Sequence, residues 1–254
     1  MRQSSSPIAR ASAVRDRIHR TYREGESVTR ILTFTSRPED WQPLLADPAK
    51  QWRTGYSART LAYCWEAADG FPPEVADALQ QTDEPSLKDL TPVLAIPEFK
   101  VPLPGGVRPS QNDLFVLARG AKGPVSIMVE GKVSESFGPT LGEWRSNASP
   151  GKETRLRFLM NELGLVETPA DSIRYQLLHR AASSVITGEQ FRAVAAVMLV
   201  HSFSEDHIGF SDYQSFAALF GVNGKLGAVQ RLGRNSRIPL YGVWVLGNCR
   251  FLQS

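Results

Sequence analysis

Residues 113–119 and 125–133 are both rich in β-branched and aliphatic side chains, and only the turn-like Gly120, Ala121, Lys122 and Gly123 lie between them with Pro124. A gap that short dictates a tight antiparallel return. Strand side chains alternate with period two, so Glu130 and Lys132 leave one face of the second run. The return brings Asp113, at the start of the first run, near them. Three polar side chains thus interrupt strands that otherwise read as buried. Two carboxylates and an ammonium on one sheet face suit a divalent cation and an activated water.

The remaining chain supplies a sheet and helices to cover it. Residues 28–35 are β-branched and alternating, which predicts a strand. Ser57 reads as an N-cap, followed by Leu61, Ala62, Trp65 and Ala68 at helical spacing and a stop at Gly70. Pro72 and Pro73 open a second short helix to about residue 80. Residues 82–89 read as a linker, and 92–101 as a strand broken by Pro97. Beyond the hairpin, 154–163 is an amphipathic helix ending at Gly164, and 172–187 is a longer helix. Residues 195–203 form a near-continuous apolar run, the pattern of a strand buried on both faces. A helix over 211–220, capped by Ser211, and a core strand over 240–246 follow, with 249–252 expected to pair back on that strand. Buried, parallel-type strands beside a meander imply an α/β fold with a mixed four- to five-stranded sheet flanked by helices.

With 254 residues, 42% apolar and 22% charged, the chain has the size and composition of one sizeable globular domain. Residues 1–26 are Ser- and Arg-rich with little periodicity and read as a basic, flexible N-terminal arm; 27–254 read as a single domain. The net charge of +3 is mild, but residues 221–254 contain no Asp or Glu. Lys225, Arg231, Arg234 and Arg237 all lie in the Gly-rich part of this stretch, 222–237, which joins a helix to the last strand. They are candidates for contacts to a nucleic-acid backbone. Cys64 and Cys249 have neither zinc-finger nor disulfide-scaffold spacing, which fits a reducing cytoplasm. No secretion signal is evident, and the longest apolar run, 193–200, is too short to span a bilayer.

Asn112-Asp113 on one strand, followed by Glu130-Gly131-Lys132 on the next, within an αβββαβ order, resembles the PD-(D/E)xK nuclease superfamily. The resemblance covers roughly residues 57–246 and implies a restriction-endonuclease-like core. It also implies divalent-metal-dependent hydrolysis of phosphodiester bonds, with DNA as the partner, in restriction, repair or defence. A second match to the Glu-x-Lys pattern, Glu98-Phe99-Lys100, is set aside because Pro97 precedes it and no upstream strand offers it an acid.

The resemblance assigns roles residue by residue. Asp113, Glu130 and the Gly131 carbonyl hold Mg²⁺ or Mn²⁺, and Lys132 orients the water or neutralises the phosphate. Glu66 on the first core helix and Gln176 on the helix after the motif are accessory catalytic candidates. His179 shares a helix face with Gln176, His201 reads as a hydrogen-bonded strand-end histidine, and His207 falls in a turn. No Gly-x-Ser-x-Gly elbow, P-loop or dinucleotide fingerprint occurs, so any NTP-driven step requires a partner protein. The alternative is a non-catalytic nucleic-acid-binding or structural module that retains the fold. Oligomeric state, homodimer or larger assembly, stays open.

Overall fold

The computed structural model describes residues 35–233 and 236–254. The expected N-terminal arm, nearly all of the strand over 28–35, and Arg234 lie outside the described residues.

Gly120 pairs directly with Gly123 across the tight return, where Gly123 adopts a φ of 132° that L side chains disfavour. From this hairpin the sheet grows in both directions. Strand β1 (Thr91–Val101) pairs antiparallel with β2 (Ser110–Gly120), and β2 antiparallel with β3 (Gly123–Lys132). Strand β3 then pairs in parallel with β4 (Ala195–Ser202), and β4 in parallel with β6 (Leu240–Leu246). A two-residue strand, β5 (Gln230–Arg231), edges β6, so among the described residues the mixed sheet has six strands in the order β1-β2-β3-β4-β6-β5. The fold is α/β, with one more strand than the four or five expected.

Helices cover both faces. Short helices α1 (Pro48–Gln51), α2 (Ser57–Glu66) and α3 (Pro73–Gln80) lie on one. Leu61, Trp65, Val75 and Leu79 pack there against Leu114, Val129, Val197, Leu199 and Val243. The connection from β3 to β4 carries α4 (Leu141–Arg145), α5 (Pro150–Leu163) and α6 (Tyr175–Gln190), and α7 (Phe210–Ala218) follows β4. On this second face Leu159, Leu177, Leu178, Ala181 and Phe216 pack against Met198, Val200 and Trp244. β4 is buried along its whole length, as its apolar run predicts. No helix among the described residues is long and apolar enough to cross a membrane.

Several local expectations are corrected. β1 is continuous through Pro97, because an edge strand has one side free of ladder bonds and tolerates the missing N–H. Tyr56, not Ser57, is the N-cap of α2; the Glu135 carboxylate accepts the Ser57 N–H at 2.7 Å instead. Helix α7 starts at Phe210 after Gly209, whose φ of 86° turns the chain, so Ser211 is no cap. Residues Cys249–Gln253 form a 3₁₀ helix rather than pairing back on β6. Helix α6 runs three residues later at each end than the predicted 172–187. Helix α5 closes at Gly164 in the left-handed region, as read from the sequence.

Candidate active site

The β2–β3 ladder ends at the Leu114–Val129 pair. Leu114 and Val129 face α2 and α3, so Asp113 and Glu130, one residue beyond each, face α6. The Gly131 N–H then donates to Asp113 Oδ2 at 2.9 Å, which fixes the carboxylate just past the last rung. Lys132 Nζ donates to Glu130 Oε1 at 2.8 Å and to Gln176 Oε1 at 3.4 Å, and lies 4.8 Å from the centre of the Phe137 ring. Gly131 occupies the opposite face. A Cβ there would sit 3.2 Å from Leu61 Cδ2, so glycine lets the start of α2 approach the strand that carries the site.

The structure therefore brings together Asp113, Glu130, Lys132 and Gln176. It adds two groups that the sequence reading passed over. Arg180 donates through Nε to Glu130 Oε2 at 2.5 Å and through Nη2 to Asp113 Oδ1 at 3.3 Å. Its spacing from Gln176 was the available signal: four residues on one helix face, aimed at a strand bearing Glu-x-Lys. Glu98 is the other. Pro97 pairs with Leu114 and Phe99 with Asn112, so Glu98 stands beside Asp113 on the neighbouring strand. Glu98 adopts a positive φ of 53° and accepts from Gln111 Nε2 at 2.5 Å. The acid of the discarded Glu-x-Lys copy thus joins the cluster, whereas its partner Lys100 is exposed.

Burial and charge sort the carboxyl groups. Glu130 is 1% exposed; burial acts to raise its pKa, but the adjoining Arg180 and Lys132 charges prevail and hold it near about 2. Burial, then the Glu130 charge, pushes Asp113 up to about 7. Burial, then the Asp113 charge, raises Glu98 to about 8. Beside them runs a cleft of about 380 Å³, lined in part by Gln111, Lys132, Tyr175, Gln176, His179 and Arg180. The His179 Nδ1 lies 2.8 Å from Ser110 Oγ, and burial, then the Arg180 charge, lowers its pKa well below the ordinary value, so the ring is neutral.

Other expected residues lie elsewhere. Glu66 is on α2, across the sheet from the cluster, where it accepts the Trp41 indole N–H at 2.8 Å. It fails to reach the site because helix α2 covers the face opposite Glu130 and Lys132. Arg237 pairs with Glu162 and Glu189, near the last turn of α6, while Gln176 is in its first. The rise of 1.5 Å per residue separates those ends by roughly 20 Å. Lys225 and Arg231 lie by the β5–β6 edge. The basic loop and the cleft are therefore separate surfaces.

A second titratable group forms on the α2–α3 face: Cys64, Glu74 and His201 have ligand atoms within 4.8 Å of one another. The Trp65 indole N–H can only donate, and it reaches His201 Nδ1 at 3.1 Å. The neutral ring must then carry its proton on Nε2, which donates to Glu74 Oε1 at 3.1 Å. A metal at Nε2 would require the other tautomer, with Nδ1–H facing the indole N–H donor to donor. Burial, then the Glu74 charge, raises the Cys64 pKa and keeps the thiol protonated. The trio is a hydrogen-bonded core network, consistent with the strand-end histidine read from the sequence.

Residues 34–249 match the family model described as Domain of unknown function (DUF6946), and the chain belongs to that family. No curated protein and no solved structure matches the chain.

Proposed function

We propose that this member of the DUF6946 family is a divalent-metal-dependent nuclease with a restriction-endonuclease-like core, hydrolysing phosphodiester bonds of DNA. One observation carries the reading. The Asp113 and Glu130 carboxylates converge on a single cation, the Arg180 guanidinium, with the Lys132 ammonium bonded alongside. A position that gathers two carboxylates about a positive group has the donor chemistry for Mg²⁺ or Mn²⁺. Asp113, Glu130 and the Gly131 carbonyl would hold the ion. When bound, such an ion polarises the phosphate and lowers the pKa of a coordinated water.

The chain's own residues do the rest. Lys132 donates one bond each to Glu130 and Gln176, which leaves a donor for a water or a phosphoryl oxygen. Gln176 holds that ammonium against the strand. His179, neutral, offers a hydrogen-bonding nitrogen rather than a charge. Burial of Glu130, Lys132 and Arg180 thins the water around them and strengthens their action on developing negative charge. Lys100 and Arg108 are exposed at the cleft's end of the sheet, carry no ion pair among the described residues, and suit contacts to the nucleic-acid backbone.

The test is cleavage of plasmid and of single-stranded DNA with Mg²⁺ or Mn²⁺, comparing wild type with Asp113→Ala and Lys132→Ala. Wild type cuts, and each variant loses at least a hundredfold in rate. Equal cutting by all three, or none under any divalent ion, sinks the assignment. One observation favours a non-catalytic nucleic-acid-binding module: Arg180 already occupies one oxygen of each carboxylate. Salt-sensitive DNA binding without cleavage would support that alternative.

A further inference from the structure

We infer that Arg180 is the resident counter-cation of the Asp113–Glu130 pair, that a divalent ion binds by exchange with it, and that the displaced guanidinium takes a phosphate oxygen. The inference rests on the reading of Asp113 and Glu130 as metal ligands.

Both carboxylates use an oxygen on the same guanidinium, Asp113 Oδ1 on Nη2 and Glu130 Oε2 on Nε. Those oxygens cannot also be first ligands of an ion in the same place. The guanidinium stays charged at any working pH, so loss of a proton cannot clear the site. It has to move. Arg180 is only 6% exposed, yet its Nη1 has no hydrogen-bond partner among the described residues. A buried donor left unsatisfied is costly and calls for an acceptor. The side chain lines the cleft that also exposes Lys132, Gln176 and His179, so the acceptor is an oxygen entering from there.

Charge supports the exchange. With Asp113 and Glu130 ionised, their two charges balance those of Arg180 and Lys132, so the cluster offers a phosphodiester no net attraction. A divalent ion bound there adds two positive charges, which draw the phosphodiester in. Metal first and phosphate second is therefore the favoured order, and Arg180 couples them because the ion releases the donor that the phosphate needs.

The experiment titrates the full chain, stripped with chelator, with Ca²⁺ and with Mg²⁺ in a calorimeter, without nucleic acid. Arg180→Met keeps the length of the side chain and removes its charge. It should bind Ca²⁺ at least tenfold more tightly than wild type, and Arg180→Lys should fall between. With Ca²⁺ saturating, a short DNA duplex should bind Arg180→Met at least tenfold more weakly than wild type. Ca²⁺ affinity that is unchanged or weaker in Arg180→Met, or no binding to either protein, overturns the exchange. Should Arg180→Met not fold, wild type decides alone. The Arg180 side-chain Nε–H resonance, held by Glu130, should shift or vanish as Ca²⁺ saturates; an unmoved resonance in the Ca²⁺-bound protein overturns it. Absent cleavage with intact exchange would sink only the nuclease reading. Cleavage with equal Ca²⁺ affinities would sink only this one.

Discussion

At the scale of single residues, the carboxyl groups of the cluster set opposite pH slopes in separate windows. Burial and neighbouring negative charge raise Asp113 from 3.8 to about 7 and Glu98 from 4.5 to about 8. Both bind more protons in the folded chain than in the unfolded one, so their contribution is complete at low pH and is lost as pH climbs from about 4 to about 8. Glu130 behaves in the other sense. Its burial is outweighed by Arg180 and Lys132, it lies near about 2 rather than 4.5, and its contribution is lost as pH falls between those values. Urea unfolding in the presence of chelator should therefore give a stability that peaks near pH 4 and declines towards pH 8. Asp113→Asn should flatten the alkaline decline. A wild-type profile level from pH 5 to pH 8 would mean that these carboxylates do not crowd one another. Asp113, Glu130 and Lys132 could be read from the sequence because strand alternation fixes facing directly. Arg180 left only a faint trace, its four-residue spacing from Gln176, since its partners lie 50 and 67 residues away and no period links a helix residue to a strand it has yet to dock on. Glu98 is set aside in the sequence because of Pro97 and the lack of an upstream acid, whereas its acid partner Asp113 comes from the following strand and Pro97 is tolerated at the sheet edge.

At the scale of elements, β3 is pressed from both sides. Glu130 and Lys132 meet α6, while Gly131 lies under Leu61 and the Ser57 carbonyl at the start of α2. Gly131→Ala inserts a methyl 3.2 Å from Leu61 Cδ2 and 3.4 Å from its Cβ. Overpacking of this kind costs about 1–3 kcal/mol. Thermal unfolding should show that loss, and Lys132 should move with its strand, so cleavage should fall more than stability alone explains. An unchanged melting temperature would place α2 farther from β3 than the structure has it. The hairpin, the buried run of β4 and the Gly164 cap were legible because local chemistry decides each of them. The passage of β1 through Pro97 was not, because it depends on β1 being an edge strand, a property of the sheet and not of the segment. The two-residue β5 is too short to carry any period. The Thr140–Glu143 capping box that starts α4 has a spacing that the sequence itself displays.

At the scale of the whole molecule, the sheet separates two apolar layers, and the polar cluster belongs to one of them. Leu199, fully buried on β4, faces α2 and α3. Leu199→Ala should cost about 2–5 kcal/mol through lost contacts and a residual cavity. That is a large share of the roughly 5–15 kcal/mol that holds a domain together. Because the side chain points away from the cluster, Ca²⁺ affinity of the folded fraction should be unaltered. A parallel loss of affinity would mean that the two layers communicate through β4. The connection between β3 and β4 has a consequence of its own. Glu98, Asp113 and Glu130 all come from one uninterrupted meander, whereas Arg180 arrives only with the helical crossover that follows. The meander by itself sets three acids against the single ammonium of Lys132, so its closed form depends on the crossover that brings the second cation.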